Sequence, residues 1–141
     1  MRHGIGFKYN LLPAVALVAA ALLVPATSRA QDIKFGKALY DKHCAVCHGA
    51  SGKGNGPLAQ TTLQKLADIT RLSKNNNGAL PYDYLYKVID GRETGDAHGP
   101  RDMPHWGLLY SDEANPGVTK EEFVRARITA LIAHIATLQE K

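Results

Sequence analysis

Two cysteines separated by two residues and followed at once by a histidine, Cys44-Ala45-Val46-Cys47-His48, are the side chains of this sequence best placed to do chemistry. A CxxCH run is the attachment signal of a c-type haem. The spacing has a geometric reason. At the end of a helix, two thiols three positions apart reach the two vinyl-derived carbons on one edge of a porphyrin, and the next side chain falls under the iron. A neutral imidazole is a good axial ligand, and its other ring nitrogen needs an acceptor to fix its orientation. The sequence points for that acceptor to a backbone carbonyl in the loop ending at Pro57. Two other chemistries use the same residues. A Cys44–Cys47 disulfide would belong to a thiol–disulfide oxidoreductase, which needs a strand–helix–strand core. A zinc knuckle of His43, Cys44, Cys47 and His48 would crowd into one segment ligands that zinc sites draw from separated ones.

A haem that only transfers electrons needs a second axial ligand. Apart from Met1, Met103 is the one methionine, and Arg101-Asp102-Met103-Pro104-His105 is too polar for a core segment where methionine serves as filler. A thioether raises the potential of a haem relative to a second imidazole, which suits accepting and passing one electron. His98 and His105 flank Met103 as competing donors and, as loop residues, read as solvated histidines. His43 reads as a surface residue at a helix end, and His134 as a packed or half-exposed one. Trp106 could donate its indole N–H to a haem propionate or pack on the ring. No paired carboxylates, activated nucleophile or second metal site stands out. With both axial positions filled there is no open coordination site, so the chain reads as a carrier and not as an enzyme.

These side chains must be held by helices. The first is expected from about Ile33 to His43, capped by Asp32, with Ile33, Gly36 and Tyr40 on one face. Gly36 is the odd member: a glycine inside a helix is either a tolerated weak spot or a point of close approach by another helix. The run Gly49 to Pro57 is a loop, Leu58 to Leu72 has no clean period, and Asn75-Asn76-Asn77-Gly78 is a turn cluster. A short helix is expected over Pro81 to Asp90, ended by Gly91. The stretch from Gly91 to Gly117 holds Pro100, Pro104 and Pro116 and reads as an extended, irregular connection, long enough to have a function. Thr119 and Glu122 match a capping box, and Val124, Ile128, Leu131, Ile135 and Leu138 then form one apolar stripe. No period-2 strand is present, so the fold class is all-α.

Ahead of these elements, Arg2 and Lys8 precede an uncharged, apolar run from Leu11 to Val24, and Ser28-Arg29-Ala30 offers small residues where a signal peptidase reads. Residues 1–30 are therefore expected to be a signal peptide cleaved after Ala30, and 31–141 one monohaem domain in the periplasm. The 14-residue run is shorter than the roughly 20 residues a spanning helix needs. The chain carries 17 Lys+Arg against 13 Asp+Glu, but Arg2, Lys8 and Arg29 leave with the leader, and the balance falls from +4 to +1. That excludes a nucleic-acid footprint, which needs clustered basic residues. Two cysteines exclude a disulfide-dense scaffold.

From about Gly36 to Leu138 the sequence resembles class I cytochrome c, the small exported single-haem electron carriers. Gly36 and Tyr40 match the first-helix positions that in this family pack against the terminal helix. Cys44, Cys47 and His48 match its haem-attachment motif, and Pro57 the proline whose carbonyl accepts from the ligand histidine. Met103-Pro104 matches the distal ligand and its following proline. Leu131-Ile132-Ala133-His134 matches the terminal-helix segment, except that the family usually has an aromatic where His134 stands. The segment from His98 to Gly107 looks like the ligand loop of bacterial members, in which Arg101 would neutralise a propionate.

The resemblance implies N- and C-terminal helices packed around one covalent haem c, with His48 and Met103 on the iron. It also implies a monomeric periplasmic carrier that exchanges single electrons with membrane-bound or periplasmic redox proteins through a partly exposed haem edge. No nucleic acid, and no transmembrane segment after cleavage, is expected. Two rivals are a five-coordinate haem sensor or enzyme with Met103 unbound, and a cytochrome subunit of a larger membrane redox complex.

Overall fold

Every regular element among residues 25–61, 65–92 and 103–141, which a computed structural model describes, is helical. The helices are α1 (Pro25–His43), α2 (Ala45–His48), α3 (Tyr82–Asp90), α4 (Trp106–Asp112) and α5 (Lys120–Thr137), with 3₁₀ turns at Pro57–Gln60, Ile69–Arg71 and Lys74–Asn76. The fold is all-α, and no strand occurs among the described residues. The core described below belongs to the compact unit of residues 31–141. His98, Arg101 and the apolar run of the expected leader lie outside the described residues.

The start of α5 forms as its sequence implies. Thr119 Oγ1 accepts from the Glu122 backbone N–H at 3.2 Å, and the Glu122 carboxylate accepts from the Thr119 N–H at 3.1 Å, which satisfies two otherwise orphaned donors. The apolar stripe turns inward: Val124, Ile128, Leu131 and Ile135 are buried together with Leu39, Tyr40, Leu85, Ile89, Tyr110 and Ile132. Helices α3, α4 and α5 pack on one another around this cluster. Helix α3 ends where glycine allows it, Gly91 taking φ +72° while its N–H donates to the Lys87 carbonyl at 2.9 Å.

Gly36 is a point of close approach. A Cβ at Gly36 would overlap the Ala130 carbonyl group and come within 3.2 Å of His134 Cβ, so α1 and α5 cross here backbone against backbone. One turn later Tyr40 is fully buried and meets the His134 ring edge-on, with centroids 5.1 Å apart. His134 thus occupies the place of the family's aromatic residue with an aromatic ring of its own. Burial, with the Lys37 charge adding to it, lowers its pKa.

Two expectations about elements are corrected. Helix α1 is already formed at Pro25, where the described residues begin, and runs through Asp32, so Asp32 lies inside it and does not cap it; the residues from Ala26 to Gln31 include no helix breaker. The connection from Gly91 to Gly117 is not wholly irregular, because it contains α4. Pro104 precedes that helix and Pro116 follows it, and between them Gly107 and Tyr110 turn one face inward.

Candidate functional site

Helix α1 leads straight into the Cys44–His48 turn. The Cys44 N–H donates to Tyr40 O at 2.8 Å, and the Cys44 carbonyl accepts from both Cys47 N–H at 3.1 Å and His48 N–H at 2.8 Å. This single tight turn sets the two thiols and the imidazole relative to one another, and α1 in turn is locked to α5 at Gly36. The glycine-rich segment after it folds back to satisfy the turn's open carbonyls. Gly54 N–H reaches His48 O at 2.8 Å and Gly56 N–H reaches Cys47 O at 3.0 Å. Gly56 lies so close beneath the carbonyls of Ala45, Val46 and Cys47 that a Cβ there would stand 2.5–2.6 Å from their oxygens. The Tyr40 hydroxyl donates to Gly49 O at 2.8 Å, tying the helix to the start of the loop.

His48 is oriented from elsewhere than expected. Its Nδ1 lies 3.1 Å from the carbonyl of Ala67, 19 residues downstream, and Pro57 instead opens a 3₁₀ turn and lines neither of the cavities described below. The loop ending at Pro57 is committed to the carbonyls of the turn, and the next segment supplies the acceptor. That segment is held by Ile69 N–H donating to Gly52 O at 2.8 Å and by Asp68 Oδ1, which accepts from Thr70 N–H at 2.9 Å. With Nδ1 facing a carbonyl, the neutral tautomer carries its proton there and leaves Nε2 as a lone-pair donor.

Two adjoining cavities of about 250 and 170 Å³ open beside the turn, and Cys44, His48, Ala67 and Met103 line both. His43, Cys47, Lys65, Leu66, Pro104 and Trp106 complete the first. The second is almost wholly apolar, walled by α3 residues such as Leu85 and Ile89 and by Leu131 and Ile135 of α5. The structure therefore brings together Cys44, Cys47, His48, Met103 and Trp106, residues from two segments far apart in the chain. Arg101 and His98 lie outside the described residues.

His43 was expected at the surface, but the structure makes it part of the wall. Its ring packs at a tilt against Trp106, with centroids 5.0 Å apart, and lies 5.9 Å from Tyr110, and Nε2 is buried without a hydrogen-bond partner. Burial lowers its pKa, as does neighbouring Lys42, which keeps the ring neutral and able to pack. Sequence reasoning missed both His43 and Ala67. The one available signal for Ala67 was the Asp68-Ile69-Thr70 turn beside it. His105 lies against Gly91 and lines neither cavity.

The donor set fits a covalently attached porphyrin. It comprises two unpaired thiols on one turn, an imidazole with a committed Nδ1, a thioether from another segment, and apolar walls between them. It fits the rival chemistries poorly. Burial pushes the Cys44 thiol up to about 12, with Cys47 adding to the shift, whereas a redox-active CxxC needs a lowered thiol pKa. Among the described residues no group of three or more His, Cys, Asp or Glu side chains is arranged to hold a metal ion.

Compared with known families, the model described as Cytochrome c matches residues 33–139. Among curated proteins, a cytochrome c6 from Chlorolobion braunii is 32% identical over 84 residues, which cover 58% of this chain and 79% of that relative. No solved structure matches significantly.

Proposed function

The chain belongs to the cytochrome c family and is a haem-based electron carrier with one covalent c-type haem, and on that premise we propose that it is a periplasmic carrier with His48 and Met103 as the two axial ligands. The observation that carries the ligand assignment is that His48 and Met103, 55 positions apart, line the same two cavities beside Cys44. The haem, when bound, supplies a one-electron iron couple. Cys44 and Cys47 hold it through thioether bonds, and the Ala67 carbonyl keeps the His48 ring in one orientation and tautomer. Met103, a neutral soft donor, favours the reduced state relative to a second histidine. The apolar side chains of α3 and α5 keep water from the inner cavity, which also raises the potential by disfavouring the more highly charged oxidised state.

Export is supported by the leader layout, with cleavage after Ala30, and the family match begins just beyond that bond at residue 33. Among the described residues no helix is long and apolar enough to cross a membrane. The partners are redox proteins, membrane-bound or periplasmic, met one electron at a time. The test is a visible spectrum of protein produced with haem-attachment machinery in a bacterial periplasm, together with the mass of its N-terminal peptide. The oxidised form should show the far-red sulfur-to-iron charge-transfer band, Met103→Ala should lose it, and the mature chain should start at Gln31. A wild-type protein without the band, binding carbon monoxide rapidly when reduced, would establish the five-coordinate alternative instead.

A further inference from the structure

Resting on the assignment of Met103 as distal ligand, we propose that Arg92 is a positioning residue for that sulfur: with Asp90 and Glu121 it forms a clasp that joins the two ends of the segment carrying Met103. The guanidinium is shared between two carboxylates. Nε and one terminal nitrogen donate to Asp90 at 2.6 and 2.9 Å, and the two terminal nitrogens donate to Glu121 at 2.7 and 3.0 Å. Asp90 ends α3 and Glu121 lies in the first turn of α5, so one cation ties two helices.

A third element closes on the same atoms. Gly107 of α4 packs directly on the pair, since a Cβ there would overlap Asp90 Oδ1 and stand 2.7 Å from Arg92 Nε. Next to it Gly91 lies against His105, whose Cδ2 would be 3.0 Å from a Cβ at that glycine. Residues 90–92 and 105–107 are thus in contact, and Met103 leaves this junction two residues before His105 to reach both cavities. The carboxylate of Asp90 is buried, and its two short bonds to Arg92 compensate for its lost hydration.

A thioether brings no charge to the iron, so its hold on the site depends on how firmly the chain keeps it in place. Outer contacts that orient a ligand are worth most where the ligand itself is weak. The clasp fixes both ends of the segment and leaves the cavity walls untouched, which makes it separable by experiment from the wall residues.

The test uses full-length, haem-loaded protein and imidazole as a competitor for the position of the sulfur. The readouts are imidazole affinity, the sulfur-to-iron band of the oxidised form and far-ultraviolet circular dichroism. Arg92→Gln should bind imidazole about tenfold more tightly, which corresponds to about 1.4 kcal/mol, with unchanged helicity. Arg92→Lys should fall in between, because an ammonium cannot bridge two carboxylates in the same fork geometry. Arg127→Gln serves as control: Arg127 is another half-buried arginine between α4 and α5, paired with Glu113 at 3.2 Å and lying over the Phe123 and Tyr110 rings instead of on Asp90 or Glu121, and its loss should leave imidazole affinity alone.

Should Arg92→Gln fail to accumulate, Glu121→Ala, at an exposed carboxylate, carries the test with an expected threefold change. Wild-type affinity in the Arg92→Gln and Glu121→Ala proteins, or an equal change in Arg127→Gln, would overturn the clasp while leaving Met103 as ligand. Absence of the band in the wild-type protein would remove the ligand assignment and the clasp with it.

Discussion

Replacing Gly36 with alanine separates two opposite expectations by the sign of one measurement. Were Gly36 merely a weak spot in α1, alanine would stabilise the protein by up to about 1 kcal/mol through helix propensity. The structure instead places the Ala130 carbonyl carbon 2.5 Å from the position a Cβ would take. A flexible side chain could swing aside, but a carbonyl inside another helix cannot, so α1 and α5 must separate. Overpacking of this kind costs about 1–3 kcal/mol, and a backbone obstacle places the cost at the upper end. Set against the propensity gain, the net loss is about 2 kcal/mol. With a urea slope of about 1–3 kcal/mol/M for a small domain, the unfolding midpoint of the haem-loaded protein should fall by about 1 M. The assay is urea titration followed by far-ultraviolet circular dichroism. An unchanged or raised midpoint would mean that the helices do not cross at Gly36, and the structural basis for positioning the Cys44–His48 turn would fail with it.

Tyr40→Phe removes the hydroxyl that pairs with the buried Gly49 carbonyl and should cost about 0.5–1.5 kcal/mol, seen as a lower urea midpoint; a midpoint equal to wild type would show that this bond does not hold the loop. Thr119→Ala breaks the capping box at α5 and should cost about 1 kcal/mol, whereas Thr119→Ser should cost little. Burial lowers the His134 pKa below the ordinary 6.5, so the unfolded chain binds that proton first as the solution is acidified. The sign follows: the contribution of His134 is intact above about pH 6.5 and is lost as pH falls below it, with His43 acting in the same direction. Urea midpoints at pH 7.5 and 5.5 should therefore differ, and His134→Phe should narrow the gap; an identical gap in the variant would assign the pH dependence to other groups.

What could be read directly from the sequence is what nearest neighbours decide. The Cys44–His48 turn, the Thr119–Glu122 box, the Gly91 helix end and the inward stripe of α5 each depend on residues within a few positions, or on a regular period, and each formed as written. The first helix began earlier than expected because nothing between Ala26 and Gln31 opposes helix, and a capping residue acts only where a helix actually starts. Helix α4 escaped notice because prolines on either side of it dominate the local composition, while its inward face is made by Gly107 and Tyr110, whose burial depends on α3 and α5.

The family and its covalent haem, then, were legible from the five contiguous residues Cys44 to His48, because the attachment signal is set by covalent spacing and donor type. Tertiary structure alone decided that the Ala67 carbonyl and not Pro57 orients His48, that His43 forms the wall, and that Gly36 meets Ala130. It also decided that Arg92 sits between two carboxylates 31 residues apart. Each of these joins groups far apart in the chain. Their pairing is settled by how apolar helix faces pack and by which buried polar groups must then find partners, and no local pattern carries that information.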